Sequence, residues 1–210
     1  MAKTINLGVL GIDHGHIFDM LDEMLKEGCS CNYFWTEGSP LTLDEFNKKY
    51  PHITRVDNKS DILNDNAIDM ILISSIPKDR ANLSMDAMKA GKDVMVDKPG
   101  CTTLEQLNNL KQTVKETGKI WSINFSERFH VAAVAKAEEL VAEGKIGKVK
   151  QTIGTGPHRQ GNYERPDWFY DRDSYGGIIT DIGSHQIHQF LVFTNSNEAK
   201  VNHALVENTT

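Results

Sequence analysis

Short apolar runs alternating with amphipathic helical stretches constrain this chain more than any other feature. Residues 4–10 (TINLGVL), 69–74 (DMILIS) and 93–97 (DVMVD) are bounded apolar segments of strand length. Further strands are expected at residues 32–35, near 53–56 and at 120–125. Between them the residues take helical spacing. One helix is expected over 17–27, and another opens at the capping-box pattern Thr42-Leu43-Asp44-Glu45 and is stopped by Pro51. Ser60 is read as the cap of a short helix. Pro77 starts a helix that closes at Gly91, and a second box, Thr102-Thr103-Leu104-Glu105, starts one that closes at Gly118. A strand that returns through a helix must lie parallel to its predecessor, so the pattern specifies an α/β, doubly wound parallel sheet. Such sheets bind ligands outside the C-terminal ends of their strands.

This rhythm ends near residue 126, which divides the chain into a dinucleotide-binding-type domain over 1–125 and an α+β domain over 126–210. The second part offers a helix over 131–143, a strand over 148–155, a polar loop, the Gly176-Gly177 turn, a helix over 179–194 and a last strand over 201–206. Two strands make a marginal sheet, so this domain is expected to be partial.

Composition narrows the function. Charged residues make up 25% and apolar ones 39% of the 210 residues, the profile of a globular chain. The net charge of −6, with no lysine-rich run, argues against nucleic acid and against anionic membrane surfaces as partners. No apolar segment is long enough to span a bilayer, and the start resembles no signal peptide, so the cytoplasm is the expected compartment. The odd count of 3 cysteines points to reduced thiols. Cys29-x-Cys31 lacks the second pair that a metal site of that type needs.

The first strand runs into Gly11-Ile12-Asp13-His14-Gly15-His16. A dinucleotide fingerprint wants glycine at the positions of Gly11, Asp13 and His16, so one of the three matches, with an additional glycine at Gly15. Asp13 would repel a diphosphate, and the imidazoles of His14 and His16 are the candidate donors to offset it. Glu37, just past the second strand, is placed to accept both ribose hydroxyls of an NAD adenosine and to repel a 2′-phosphate. Ser75, Pro77, Asp97 and Lys98, at the ends of the strands over 69–74 and 93–97, complete the candidate cofactor contacts.

Lys98, held between an apolar strand and Pro99, presents an ammonium where strand ends gather. Asp181 and His185 stand four apart, one helical turn, so that a carboxylate can orient an imidazole. His185 can then accept a hydroxyl proton while a hydride leaves the same carbon. His188, one turn on, would extend Asp181 and His185 to a metal-binding set, but no fourth ligand is identifiable and no metal is expected. Arg128, His158, Arg159, Trp168 and His188 are candidate substrate contacts, whereas Trp35 and Trp121 are assigned to the core.

Taken together, these residues resemble the glucose–fructose oxidoreductase / inositol dehydrogenase (Gfo/Idh/MocA) family. Asp97-Lys98-Pro99 is similar to its Glu-Lys-Pro strand end, and residues 87–94 resemble the segment before it. Asn124-Phe125-Ser126-Glu127-Arg128-Phe129 resembles the Asn-x-Arg-Arg-Phe junction, and residues 144–149 resemble the next landmark. Gly176-Gly177 through Asp181-x-Gly183-x-His185 is similar to the signature lining the substrate site. The resemblance implies an NAD(P)-binding domain followed by a domain with a mostly antiparallel sheet, and Lys98, Asp181 and His185 as catalytic residues. It implies NAD as cofactor, with NADP open, and a sugar, polyol or related hydroxy compound as the small-molecule substrate. Three departures stand out: the sparse glycines, His188 where the family has aspartate, and an end at Thr210 where relatives continue, for which the expectation is either a truncated chain or an open sheet completed by another chain, as in a homo-oligomer. A non-catalytic NAD-responsive binding or regulatory protein on the same scaffold is the alternative, and transient oxidation during elimination or hydrolysis a third reading.

Overall fold

The computed structural model of the chain describes residues 4–156 and 165–207. Every strand expected before residue 126 forms: β1 (Asn6–Leu10), β2 (Ser30–Trp35), β3 (Thr54–Arg55), β4 (Met70–Ile73), β5 (Asp93–Asp97) and β6 (Trp121–Asn124). All pairs are parallel, in the order β3-β2-β1-β4-β5-β6. The connecting helices are α1 (His16–Lys26), α2 (Leu43–Lys49), α3 (Lys59–Leu63), α4 (Pro77–Lys89) and α5 (Leu104–Thr117). This is a Rossmann-type sheet, whose order reverses between β1 and β4 and so opens a crevice at their C-terminal ends.

The apolar runs are continuous because both faces of the sheet are covered. One buried cluster gathers Leu7, Val9, Ile17, Leu21, Phe34 and Phe46 around α1 and α2. The other gathers Leu10, Ile71, Ile73, Val94, Val96 and Leu110 under α4 and α5. Cys29, Cys31 and Cys101 form no disulfide, and burial pushes the Cys31 thiol up to about 12.

The helix starts depart from the sequence patterns. Thr42 caps nothing; its hydroxyl donates instead to the Ile12 carbonyl, tying α2 to the turn after β1. Asn58, not Ser60, precedes α3. The box at α5 lies one residue later than the pattern placed it: Thr103 Oγ1 accepts from Gln106 N at 3.1 Å, and Gln106 Oε1 accepts from Thr102 N at 2.9 Å. Thr103 thus serves as the N-cap, while the Gln106 side chain reaches one residue beyond the cap, to the Thr102 N–H, so the box is not strictly reciprocal.

The chain packs as two units, and a single cut near 125 does not separate them. The first comprises Met1–Asn124 with Gln160–Asp181, the second Phe125–Arg159 with Ile182–Thr210. In the first unit, a 3-10 turn (Asp167–Phe169), α6 (Arg172–Tyr175) and the start of a π-helical turn (Ile179–Gly183) therefore belong with the sheet domain. In the second, the short helix Ser126–Phe129 and the helices Ala132–Ala142 and Ser184–Thr194 pack on one another. Among the described residues of this unit no strand forms over 148–155 or 201–206, and Ile153, Val201 and Leu205 are exposed. A strand is stable only when paired, so alternation alone could not make a sheet here. No helix among the described residues is long and apolar enough to cross a membrane.

Candidate active site

Gly11 sits where β1 ends and the crevice begins. Its φ is +78°, and a Cβ there would come within 2.4 Å of the Ser75 Cβ at the end of β4. This position demands glycine on both counts. Gly15 does not: it is exposed, and an added Cβ would meet nothing within 4 Å.

A cavity of about 240 Å³ opens at this point, lined by Gly11, Asp13, Trp35, Glu37, Lys59, Ser75, Ile76, Asp79, Asn82 and Leu83. Four of the sequence candidates, Gly11, Asp13, Glu37 and Ser75, thus converge on one space. Trp35, assigned to the core from sequence, lines the cavity as well as packing on the cluster beneath it. Three carboxylates give the cavity its character. Burial pushes the Asp13 carboxyl up to about 6, with Asp79 adding to the rise, although its own N–H, the Ile76 N–H and Arg80 act against it. Burial and the neighbouring Glu37 likewise raise Asp79, against Lys78. The one cation on the lining, Lys59, is held by Asp86 at 2.7 Å. Asp13 also borders a second cavity of about 280 Å³ with Ser39, Pro40, Leu41, Arg165 and Trp168.

Other candidates lie elsewhere. Ile12 is fully buried in the core and Pro77 is the buried first residue of α4, so neither side chain reaches the cavity. Asp97 is fully buried beneath the turn. His14 and His16 are not aimed outward as diphosphate donors: their Nδ1 atoms face Asp97, at 3.2 and 2.7 Å from its two oxygens. Arg80, which the sequence reading passed over, completes this group. Its side chain is 1% exposed; Nη2 lies 2.9 Å from Asp97 Oδ2, Nε donates to the Ser75 carbonyl, and Nη1 donates to the carbonyls of Asp97, Lys98 and Pro99. One guanidinium therefore fastens the ends of β4 and β5. Burial would raise the Asp97 carboxyl, but Arg80 and the imidazoles hold it well below the usual carboxylate range. A basic residue in the first turn of a helix, against the macrodipole, was the available signal.

Lys98 and Asp181 meet inside the first unit. Lys98 Nζ donates to Asp181 Oδ1 at 2.6 Å, and both side chains are nearly buried. Gly176 and Gly177, at φ of +85° and +86°, bring the chain back to this point; a Cβ on Gly176 would come within 2.9 Å of Thr102. Asp181 lies in the π-helical turn, a distortion often found at functional positions.

In the second unit, the His185 Nε2 lies 4.0 Å from Glu127 Oε1, and the ring of His188 stacks on Phe125 at 4.2 Å. Arg128 donates to Glu138 through Nε at 2.6 Å and Nη2 at 2.9 Å, a forked pairing that engages it within this unit. Trp168 stands in the first unit, its ring 6.4 Å from that of His14. His158 and Arg159 lie outside the described residues.

Two family models match the chain: an oxidoreductase family with NAD-binding Rossmann fold over residues 39–125, and the GFO/IDH/MocA C-terminal domain over 134–209. The chain is 25% identical over 196 residues to the scyllo-inositol 2-dehydrogenase (NADP(+)) of Bacillus subtilis, covering 90% of this chain and 52% of that protein. It is 29% identical over 129 residues to the D-xylose dehydrogenase of Paenarthrobacter nicotinovorans, covering 59% of this chain and 33% of the relative. A crystallised Erwinia carotovora atroseptica protein, assigned provisionally as an oxidoreductase, shares 40% identity at a TM-score of 0.88, over 91% of this chain and 57% of that one. The chain thus spans about half the length of the inositol dehydrogenase it matches.

Proposed function

Because the chain belongs to the Gfo/Idh/MocA family of oxidoreductases, we propose that it binds NAD in the crevice between β1 and β4 and takes part in oxidising a hydroxyl carbon of a sugar or polyol, or in the reverse reduction. The observation that carries this reading is the cavity where Gly11, Ser75 and Glu37 meet at the reversal of strand order. The dinucleotide fits its chemistry in two respects. Gly11 presents a turn without a side chain on the cavity wall, and Glu37 offers a carboxylate to ribose hydroxyls. Glu37, Asp79 and Asp13 would repel a 2′-phosphate, and Lys59 is engaged by Asp86, so NAD is favoured over NADP.

When bound, the nicotinamide accepts or returns the hydride. The chain's own residues handle the proton. Lys98, held by Asp181, supplies a fixed ammonium that hydrogen-bonds the substrate oxygen. His185, four residues beyond Asp181, is proposed to take the hydroxyl proton, with Asp181 as its orienting carboxylate. Trp168, Arg128, His158 and His188 are proposed to shape the substrate side, and a homo-oligomer to form through the second domain.

Calorimetric titration with NADH and NADPH, followed by a screen of polyols and sugars for hydride transfer, tests the reading. Tight NADH binding is expected, and its absence from the folded chain would overturn the reading. Lys98→Met and His185→Ala should abolish most turnover while sparing NADH affinity; equal loss of both would remove their proposed roles. Glu37→Ala should weaken NADH more than NADPH, and an unchanged preference would clear Glu37 of ribose binding.

A further inference from the structure

We propose that His14, His16 and Asp97 form a binding site for a first-row divalent cation of the zinc–cobalt type, set in the turn between β1 and α1. Neither the dinucleotide cavity nor the proton chemistry above uses these three side chains. One ligand atom from each lies within 4.8 Å of the others. Two edges of that triangle are defined: His16 Nδ1 to Asp97 Oδ1 at 2.7 Å, and His14 Nδ1 to Asp97 Oδ2 at 3.2 Å. Ligands about 2.0–2.2 Å from one ion stand roughly 2.8–3.6 Å apart in octahedral or tetrahedral geometry; the His14 edge falls within that range, and the His16 edge, now of hydrogen-bond length, opens slightly to admit the ion.

Direction adds a second, independent observation. Asp97 is fully buried, and its Oδ2 lies within contact of His14 Nδ1 and of Arg80 Nη2, yet it accepts no well-directed hydrogen bond. An imidazole that shared a proton with the carboxylate would point its nitrogen along the N···O line. Ligands that share a cation instead point at the ion and make a wide angle with that line. The His14–Asp97 contact, 3.2 Å long and without a well-directed hydrogen bond, is compatible with the second arrangement.

The surroundings suit such an ion. Arg80 holds the carboxylate in place from Oδ2, an outer contact of the kind that orients metal-binding carboxylates. The positive charge of Arg80 opposes a dication, and the anions Asp97 and Asp13 offset it. Lys98, the nearest lysine in sequence, is turned to Asp181 and does not compete. The two imidazoles are 26% and 29% exposed, which gives an ion a way in and leaves coordination positions for water or a ligand oxygen. Two imidazoles and one carboxylate select a borderline transition ion over magnesium or calcium.

The untagged full chain, first dialysed against a chelator, is titrated with Co²⁺ while the visible absorption of the bound ion and the heat of binding are followed. One equivalent per chain with ligand-field bands is expected, and Zn²⁺ should displace it. His14→Asn and His16→Asn should each weaken Co²⁺ at least about tenfold. His52→Asn, an exposed histidine outside the cluster, should leave affinity unchanged. Unchanged affinity in the double variant, or no binding by the native chain, overturns the site. Should the variants fail to fold, the side-chain NMR signals of the native chain decide. Paramagnetic shifts centred on His14 and His16 support the site, and shifts centred elsewhere refute it.

Discussion

At Asp13 a carboxylate stands where the dinucleotide fingerprint has glycine, and it borders both cavities of the first unit. Its charge opposes a diphosphate placed at the same turn. Asp13→Asn keeps the volume and removes the charge, so NADH should bind about 5- to 30-fold tighter by calorimetry at pH 8, a gain of about 1–2 kcal/mol. Arg80 presents the opposite case, a buried charge whose loss strands its partner. Arg80→Leu should cost about 3–5 kcal/mol in urea denaturation, because Asp97 is left buried without its counterion. Asp13 was visible in the sequence as a mismatch to a known pattern. For Arg80 the sequence carried only its place in the first turn of α4, since its five partners are carbonyls and a carboxylate brought together by strand order.

At the level of elements, helix boundaries followed local chemistry closely and caps did not. Pro77 opens α4 and Gly118 closes α5 as composition predicts. Two threonines in similar patterns behave differently, however. Thr103 caps α5, so Thr103→Ala should cost about 1 kcal/mol through the lost bond to Gln106 N. Thr42 ties α2 to the turn after β1, so Thr42→Ala should also lower NADH affinity, whereas Thr103→Ala should not. Measuring stability and binding on both variants separates a cap from a tether. A pattern of four residues cannot distinguish them, because the Ile12 carbonyl that recruits Thr42 is 30 residues away.

Across the whole molecule, protection should be uneven. The central strands β1, β4 and β5 are buried on both faces, whereas the helix Ala132–Ala142 has no buried residue. Native-state hydrogen exchange should therefore find amides of Val9, Leu72 and Val96 opening only with global unfolding, and those of 148–155 and 201–206 exchanging rapidly. Slow exchange in the latter two segments would mean that they are paired as strands in solution.

By itself the sequence determined the parallel sheet, the succession of strands and helices, and the family, because these follow from periodicity, punctuation and motifs read along the chain. It also marked Gly11, Glu37, Lys98 and Asp181, each at an element end where a short-range rule applies. Tertiary structure alone decided what those residues meet: Gly11 against Ser75, Lys98 against Asp181, and His14 and His16 turned inward to Asp97. It also decided that 165–181 packs with the sheet domain and that 148–155 and 201–206 form no strand among the described residues. Burial and pairing depend on neighbours distant in sequence, and a local pattern encodes only the capacity for them.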